Sequence, residues 1–573
     1  MRRLVLTSLA VLAMLAAPAC KDSDPNAFET YTAKIRSDEG RGVALKDLDK
    51  LVKTVSTAEP AVRDPRFQEF VDKVIPVFVE VWDASQPVER TQMLEMLRIV
   101  SRPEGAEIWN KALELDGSDE ARKQALLALQ GISNAKAVGS VDTLIKSFGD
   151  LIENPSKDKG KREGEIRLEM AKTLGDLKDP KAVPVLISAL EKTKDQQPVA
   201  VHRQAAKALG DIGDAAATDA LITVMFRVPD APSTTDIGNR AKLALAGIGK
   251  DAVPKVISML KGQHEEVNKL ANENGVDLLV VQQSAADALG NMGAKEAVAE
   301  LIAFMPNSGC VAPGAEPPDP KAKGKKKDEP EVDPADASLR AFVARSLGFI
   351  GDESAVDALC GCVHATHNPG DMTEILDALG RIGGEKATTC LVEAIKTGEF
   401  NPDTVANSDF VHEPKWIAGR WAVLAAPPSK IGEVKAAFEE ANKVSEQVSK
   451  ELARFSKAIE ITETCGEKKD CYIKVLADAN GDIVAREKAA YELVRLAQGD
   501  EEAALEISKA FKIRNPDARV TMALMAPRAM GGKPCTKCAA AFEEIIEGEK
   551  GTMDATMQLP VITSRYSIAK LGG

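Results

Sequence analysis

Along most of this chain apolar residues return at intervals of three and four, the spacing that lays them on one face of an α-helix. The pattern itself recurs. Segments such as AKTLGDL, AKALGDIG, AADALGNMG, ARSLGFIG and LDALGRIG close on a leucine followed by glycine. The marker leucines are Leu97, Leu129, Leu174, Leu209, Leu245, Leu289, Leu347 and Leu379, then less clearly Leu424, Leu493 and Leu524; their closest spacings are 31, 32, 35 and 36 residues. Twelve residues beyond six of them stand Leu186, Leu221, Ile257, Leu301, Leu359 and Leu391. A period of that size holds one helix-turn-helix unit, which cannot bury its own apolar face and so stacks on a neighbour at each side. The expected fold is all-α, a solenoid of stacked helix pairs.

Departures from the period divide the chain. Residues 28–88 read as an irregular helical cap, with Phe67, Phe70, Val71, Val74 and Ile75 at helical spacing. The regular array spans 89–397, with turn signals at Lys178-Asp179-Pro180, Gly213-Asp214 and Gly351-Asp352. Two long steps contain inserts, one at Asn154 to Lys161 and one at 306–336. The second, rich in proline, lysine and acids, has almost nothing to bury and is expected to be disordered without stabilising contacts. Within 398–482, Ile431, Val434, Phe438, Ala441, Val444, Val448, Leu452, Phe455 and Ile459 predict one long amphipathic helix over about 430–461, packed on its own chain rather than on a partner helix. Helix pairs resume over 483–573.

First-helix segments such as HRQAAKALGDIG and second-helix segments such as KAVPVLISALEK resemble HEAT repeats, specifically the short variety named after phycobilisome lyases. The resemblance covers roughly residues 85 to 530. It implies a right-handed α-solenoid, a superhelix whose second helices line a concave face. That family includes scaffolds, adaptors, chromophore lyases and a metal-dependent hydroxylase, so the fold alone selects no activity.

Composition narrows the partners. Aromatic residues make up 4% of the chain and the formal net charge is −13, so neither base-stacking platforms nor a phosphate-tracking basic face is expected, and nucleic acid is excluded. Residues 1–19 read as a signal peptide: Arg2 and Arg3, an apolar stretch from Leu4 to Leu15, and small residues before Cys20. LAAPAC resembles a bacterial lipoprotein signal, which implies lipid on Cys20, a tether over 20–27 and a membrane anchor through that lipid. Lys21 after the cysteine resembles the outer-membrane sorting choice of enteric bacteria. The implied location is the cell envelope, as an outer-membrane lipoprotein facing the periplasm or the cell surface.

Candidate chemistry is sparse. Hydroxylases resembling deoxyhypusine hydroxylase hold two irons with His-Glu pairs at the starts of first helices; here the matching positions read Arg203-Gln204, and His264-Glu265 and His412-Glu413 fall outside those helices. Cys360, Cys362, His364 and His367 have zinc-like ligands, but repeat alignment places both cysteines where neighbouring repeats carry buried apolar residues. An even number of cysteines beyond Cys20 in an exported chain favours disulfides. Cys465 with Cys471, and Cys535 with Cys538, read as local staples. Cys310, Cys360, Cys362 and Cys390 cannot be paired from sequence, although Cys362 with Cys390 would link adjacent second helices. No catalytic residue, cofactor site or metal site is expected. The reading is an exported, lipid-anchored scaffold or adaptor that binds a protein partner without catalysis. The alternatives are a bilin-lyase-like enzyme or a periplasmic thiol-redox protein using Cys535 and Cys538, whose thiolate a helix N-terminus and Lys537 would stabilise.

Overall fold

The computed structural model describes residues 24–158, 162–228, 236–307, 310, 333–363, 369–397, 414–441, 443, 450, 452–549 and 557–572. The signal peptide, Cys20, His364, His367 and the His412-Glu413 pair lie outside the described residues, as do 308–309 and 311–332 of the insert. Among those described, no helix is long and apolar enough to cross a membrane.

The chain forms two compact units, residues 1–173 and 174–573. The first opens with α1 (Glu29–Arg36), α2 (Arg41–Ser56), α3 (Pro60–Lys73) and α4 (Ile75–Val81). Its centre is aromatic: Phe70 meets Phe28 at 5.5 Å and Phe78 at 5.8 Å, both edge to face. Helix pairs follow as α5 (Pro87–Val100) with α6 (Ala106–Ala112) and α7 (Asp119–Ala135) with α8 (Val141–Glu153). The Asn154 to Lys161 insert is anchored where it is described. Asp158 is fully buried, accepts the backbone N–H groups of Ile166 and Arg167, and pairs with the Arg167 guanidinium at 3.0 Å. It thereby caps α9 (Glu165–Leu177), whose first N–H groups have no partner within the helix.

The second unit continues the pairs. First helices are α11 (Val199–Ile212), α13 (Ile237–Ile248), α16 (Leu278–Met292), α18 (Pro334–Ile350), α20 (Pro369–Ile382), α22 (Pro414–Ala425), α26 (Ile483–Leu496), α28 (Pro516–Met530) and α30 (Gln558–Lys570). Second helices are α10 (Val183–Glu191), α12 (Thr218–Arg227), α14 (Val253–Leu260), α17 (Val298–Phe304), α19 (Val356–Cys362), α21 (Gly384–Thr397), α27 (Glu501–Ala510) and α29 (Thr536–Gly548). Additional helices are α15 (Glu265–Glu273), α23 (Ile431–Ala441), α24 (Ser456–Cys465) and α25 (Lys469–Ala477).

Each part of the repeat motif has a duty. Every marker leucine is buried on a first helix. Of the residues twelve positions on, the five leucines are buried and Ile257 is half-buried. The last glycine of DIG, NMG and FIG ends its helix in the left-handed region, with φ of 76° at Gly213, 69° at Gly293 and 74° at Gly351. Asp179, Asp214 and Asp352 then accept a backbone N–H two residues on, holding the tight turn into the second helix. The glycine after the leucine acts between repeats. A Cβ on Gly210 would lie 2.6 Å from Ala244 Cα, on Gly290 2.6 Å from Ser346 Cα, and on Gly348 2.7 Å from Ala378 Cα. In AKALG-type segments the glycine of one first helix therefore seats the small residue of the next.

First helices pack on first helices in the order α13, α16, α18, α20, α22, α26, α28, α30, and α30 then packs on α13 and α16. The series closes on itself. Arg528 of α28 donates to the carbonyl oxygens of Gly348 and Phe349 at the end of α18, at 2.6 and 3.2 Å, and to that of Arg381 in α20. The expectation that second helices line the inner face is thus corrected for this unit: first helices face one another there.

Two further expectations change. Of the single helix expected over about 430–461, α23 and α24 are the parts described at each end, with Arg454 and Phe455 in a turn before α24; residues 442, 444–449 and 451 lie outside the described residues. The described residues of its stripe are buried within this chain. Phe455, 1% exposed, lies 5.3 Å from Trp416 and 6.3 Å from Phe438. The 306–336 insert is structured at its edges, because Asp333 caps α18, residues 334–336 form that helix's first turn, and Cys310 is cross-linked to Cys362.

Candidate functional site

Charged side chains on the first helices meet across neighbouring repeats. Lys242 reaches Asp287 at 2.6 Å, Arg345 holds Glu374, Trp421 Nε1 donates to Asp377 at 2.5 Å, and Arg420 pairs with Glu487 at 2.8 Å. Thr521 Oγ1 donates to the same Glu487 carboxylate at 2.7 Å. Lys488, fully buried, pairs with Glu492 at 2.7 Å and donates to the carbonyl oxygens of Leu424 and Ala426, ending α22. Burial pushes the carboxyls of Asp377 and Glu487 up and the Lys488 ammonium down. Each opposing charge partly offsets that shift.

This arrangement orders the interior. Its acids and bases are engaged with one another, and no group of metal-ligating side chains gathers among the described residues. Sequence reasoning did not find the network. Its signal is a charge within a first helix, such as Lys242, Arg345, Arg420 or Lys488; periodicity alone reads that charge as a solvated face.

All eight cysteines after Cys20 are placed. Cys465 is joined to Cys471 and Cys535 to Cys538. Cys310 is joined to Cys362 and Cys360 to Cys390, so the Cys362 to Cys390 link is corrected to Cys360 with Cys390, still between α19 and α21. This corrects the reading of Cys360 and Cys362 as plain apolar packing, and bonded sulfurs are not thiolate ligands for zinc. At the C-x-x-C, Cys535 and Cys538 are 4% and 0% exposed, and Cys535 Sγ accepts the Cys538 N–H at 3.2 Å. Lys537 points elsewhere, to Glu501 at 3.0 Å. The redox reading needs an accessible sulfur beside a cation, and the geometry supplies neither. Of the two His-Glu pairs, His264 caps α15 by accepting the Val267 N–H, outside any first helix.

Second helices carry their charges outward, joined by ion pairs that link neighbours. Lys255 reaches Asp219, Lys261 reaches Glu300 at 2.7 Å, and Lys386 reaches Asp357 at 3.3 Å. Such exposed pairs contribute little stability, roughly 0–1 kcal/mol each.

None of the curated proteins matches the chain. Among solved structures, phycocyanin lyase CpcE–CpcF from Nostoc sp. PCC7120 is similar at 21% identity over 50% of this chain and 92% of that one, with a TM-score of 0.23. Human deoxyhypusine hydroxylase is similar at 14% identity over 76% and 98%, with a TM-score of 0.18. A Kap121p mutant is similar at 11% identity over 96% and 67%, with a TM-score of 0.34. The family described as HEAT repeats matches residues 159–232 and 331–404, and the PBS lyase HEAT-like repeat matches 281–305. The chain therefore carries HEAT repeats, and its fold is an all-α solenoid of stacked helix pairs.

Proposed function

We propose that this chain is an exported bacterial scaffold or adaptor, anchored by lipid on Cys20 at the cell envelope, that binds a protein partner through its second helices and catalyses nothing itself. HEAT solenoids generally serve as protein-interaction scaffolds. The observation that carries the reading is the division of labour between helices: first helices engage their polar groups with one another, whereas second helices present exposed side chains such as Glu385, Lys386, Glu543 and Glu544. Mass spectrometry of the mature N-terminus tests the anchor, with cleavage before Cys20 and lipid on its sulfur expected. Cross-linking in the native cell tests the surface. Replacing Glu543 and Glu544 by lysine, or Glu385 and Lys386 with reversed charge, should remove a specific cross-linked partner while leaving the melting profile intact. Retained cross-links in all variants, or turnover of a substrate by purified protein, would defeat the scaffold reading.

A further inference from the structure

Seven residues before the marker leucines Leu129, Leu174, Leu347 and Leu493 stand Arg122, Arg167, Arg340 and Arg486, each buried on a first helix. Two of them hold the chain that enters their helix: Arg167 pairs with Asp158 at 3.0 Å, and Arg486 donates to the carbonyl oxygen of Leu476 at 3.1 Å. Arg340 does the same with a different acceptor. Its Nη1 donates to Cys310 Sγ at 3.6 Å.

That sulfur is half of the bridge to Cys362 on α19. Cys310 is partly exposed, whereas Cys362 is 1% exposed, so an incoming group meets Cys310 first. Arg340 itself is fully buried. Asp371 of α20, 2% exposed, lies 3.5 Å from Arg340 Nε and offsets part of the charge, but it does so at another nitrogen and leaves the Nη1 donor on the sulfur. A guanidinium N–H directed at sulfur away from water favours negative charge there, and so favours the thiolate as attacking and leaving group.

The other bridges lack this combination. Cys535 and Cys538 are 4% and 0% exposed, and Cys465 is 1% exposed. Cys360 and Cys390 are partly exposed, but among the described residues no cationic side chain donates to a cystine sulfur other than Cys310. The accessible sulfur beside a cation that the C-x-x-C does not provide is present at Cys310.

We propose that Cys310 Sγ is a site of thiol–disulfide exchange, at which a dithiol carried by a protein or a small molecule opens the Cys310–Cys362 bridge. One thiolate of the dithiol attacks Cys310 Sγ; the bond between the two sulfurs breaks, and Cys362 leaves with the electron pair and takes a proton. The second thiol of the reductant loses its proton and attacks its own sulfur in the mixed disulfide, releasing Cys310 as the thiolate that Arg340 holds. The bridge gains two electrons, and the dithiol is oxidised to its disulfide. Opening frees Cys310 from α19. The inference does not depend on the scaffold reading.

Dithiothreitol added to the oxidised full-length protein at about pH 7 tests it, with samples quenched in acid over time, free thiols tagged and peptides mapped so that each bridge is read separately. Cys310–Cys362 should open about tenfold or more faster than Cys360–Cys390, the rate equivalent of one charge-assisted hydrogen bond. Arg340→Gln should remove that advantage relative to Cys360–Cys390 in the same sample, and Arg340→Lys, which keeps the charge, should retain part of it. If Arg340→Gln fails to fold, the order of opening in the unaltered protein and the Arg340→Lys ratio carry the test. Opening of Cys310–Cys362 no faster than Cys360–Cys390, or an unchanged ratio in folded Arg340→Gln, would overturn the proposal.

Discussion

Adding one methyl group at Gly210 sets two effects of known size against each other. Alanine in place of a helical glycine stabilises by up to about 1 kcal/mol through propensity and a smaller unfolded-state entropy. At Gly210, however, the new Cβ would stand 2.6 Å from Ala244 Cα and 2.8 Å from Ala244 Cβ. Carbon atoms in contact prefer about 3.5–4.0 Å, so α11 and α13 must separate locally by roughly 1 Å. The obstacle includes backbone, which cannot swing aside as the end of a long side chain can. Overpacking of this kind costs about 1–3 kcal/mol. Gly210→Ala should therefore destabilise by about 1 kcal/mol net. Gly432, in α23, has nothing within 4 Å of its Cβ position, so Gly432→Ala should be neutral or stabilise by up to about 1 kcal/mol. Urea denaturation followed by far-ultraviolet circular dichroism, with native-state hydrogen exchange on α11 and α13, measures the pair. Equal stabilisation by both substitutions would refute the view that these glycines set the distance between first helices.

Phe455→Ala should destabilise by about 3–5 kcal/mol, because the ring is buried against Trp416 and Phe438; an unchanged urea midpoint would mean the stripe is a free docking face. Burial, then the Arg528 guanidinium, push the Lys570 ammonium down to about 7, against about 10.4 in an unfolded chain. Between those values the unfolded chain binds the proton and the folded one does not, so this contribution makes stability rise as pH climbs from about 7 to about 10.4. Lys570→Met should flatten that part of the stability profile measured by urea midpoints, and an identical slope would contradict the assignment. Non-reducing peptide mapping should recover Cys310 linked to Cys362 and Cys360 linked to Cys390, and replacing Cys310 and Cys362 by alanine should cost about 4 kcal/mol, as expected for a separation of 52 residues.

The repeat was legible because its marks are local. A leucine on the buried face, a glycine at the close approach and an aspartate in the turn each act within a few residues of their own position, so each leaves a trace at fixed spacing. Closure was not legible. It depends on α30, whose buried positions include Thr563, Ser564 and Ser567, residues that carry no apolar periodicity. The turn before α24 was hidden for a related reason: Phe438, Leu452 and Phe455 are all buried, and the apolar spacing runs through the turn unchanged. Cysteine spacing shows how many bridges are available and leaves their connectivity open, and it does not distinguish Cys360 from Cys362 as the partner of Cys390.

An array whose last helix meets an earlier one is constrained in the number of its repeats. Open solenoids can gain or lose a unit by duplication or deletion, since the newcomer needs only compatible neighbours. From α13 to α30 that freedom is gone: one unit more would carry α30 past its seat, and one fewer would leave it short. Length variation among descendants of this chain is accordingly channelled into the connections between helices and into residues before α13, while the count of first helices between Ile237 and Lys570 stays fixed.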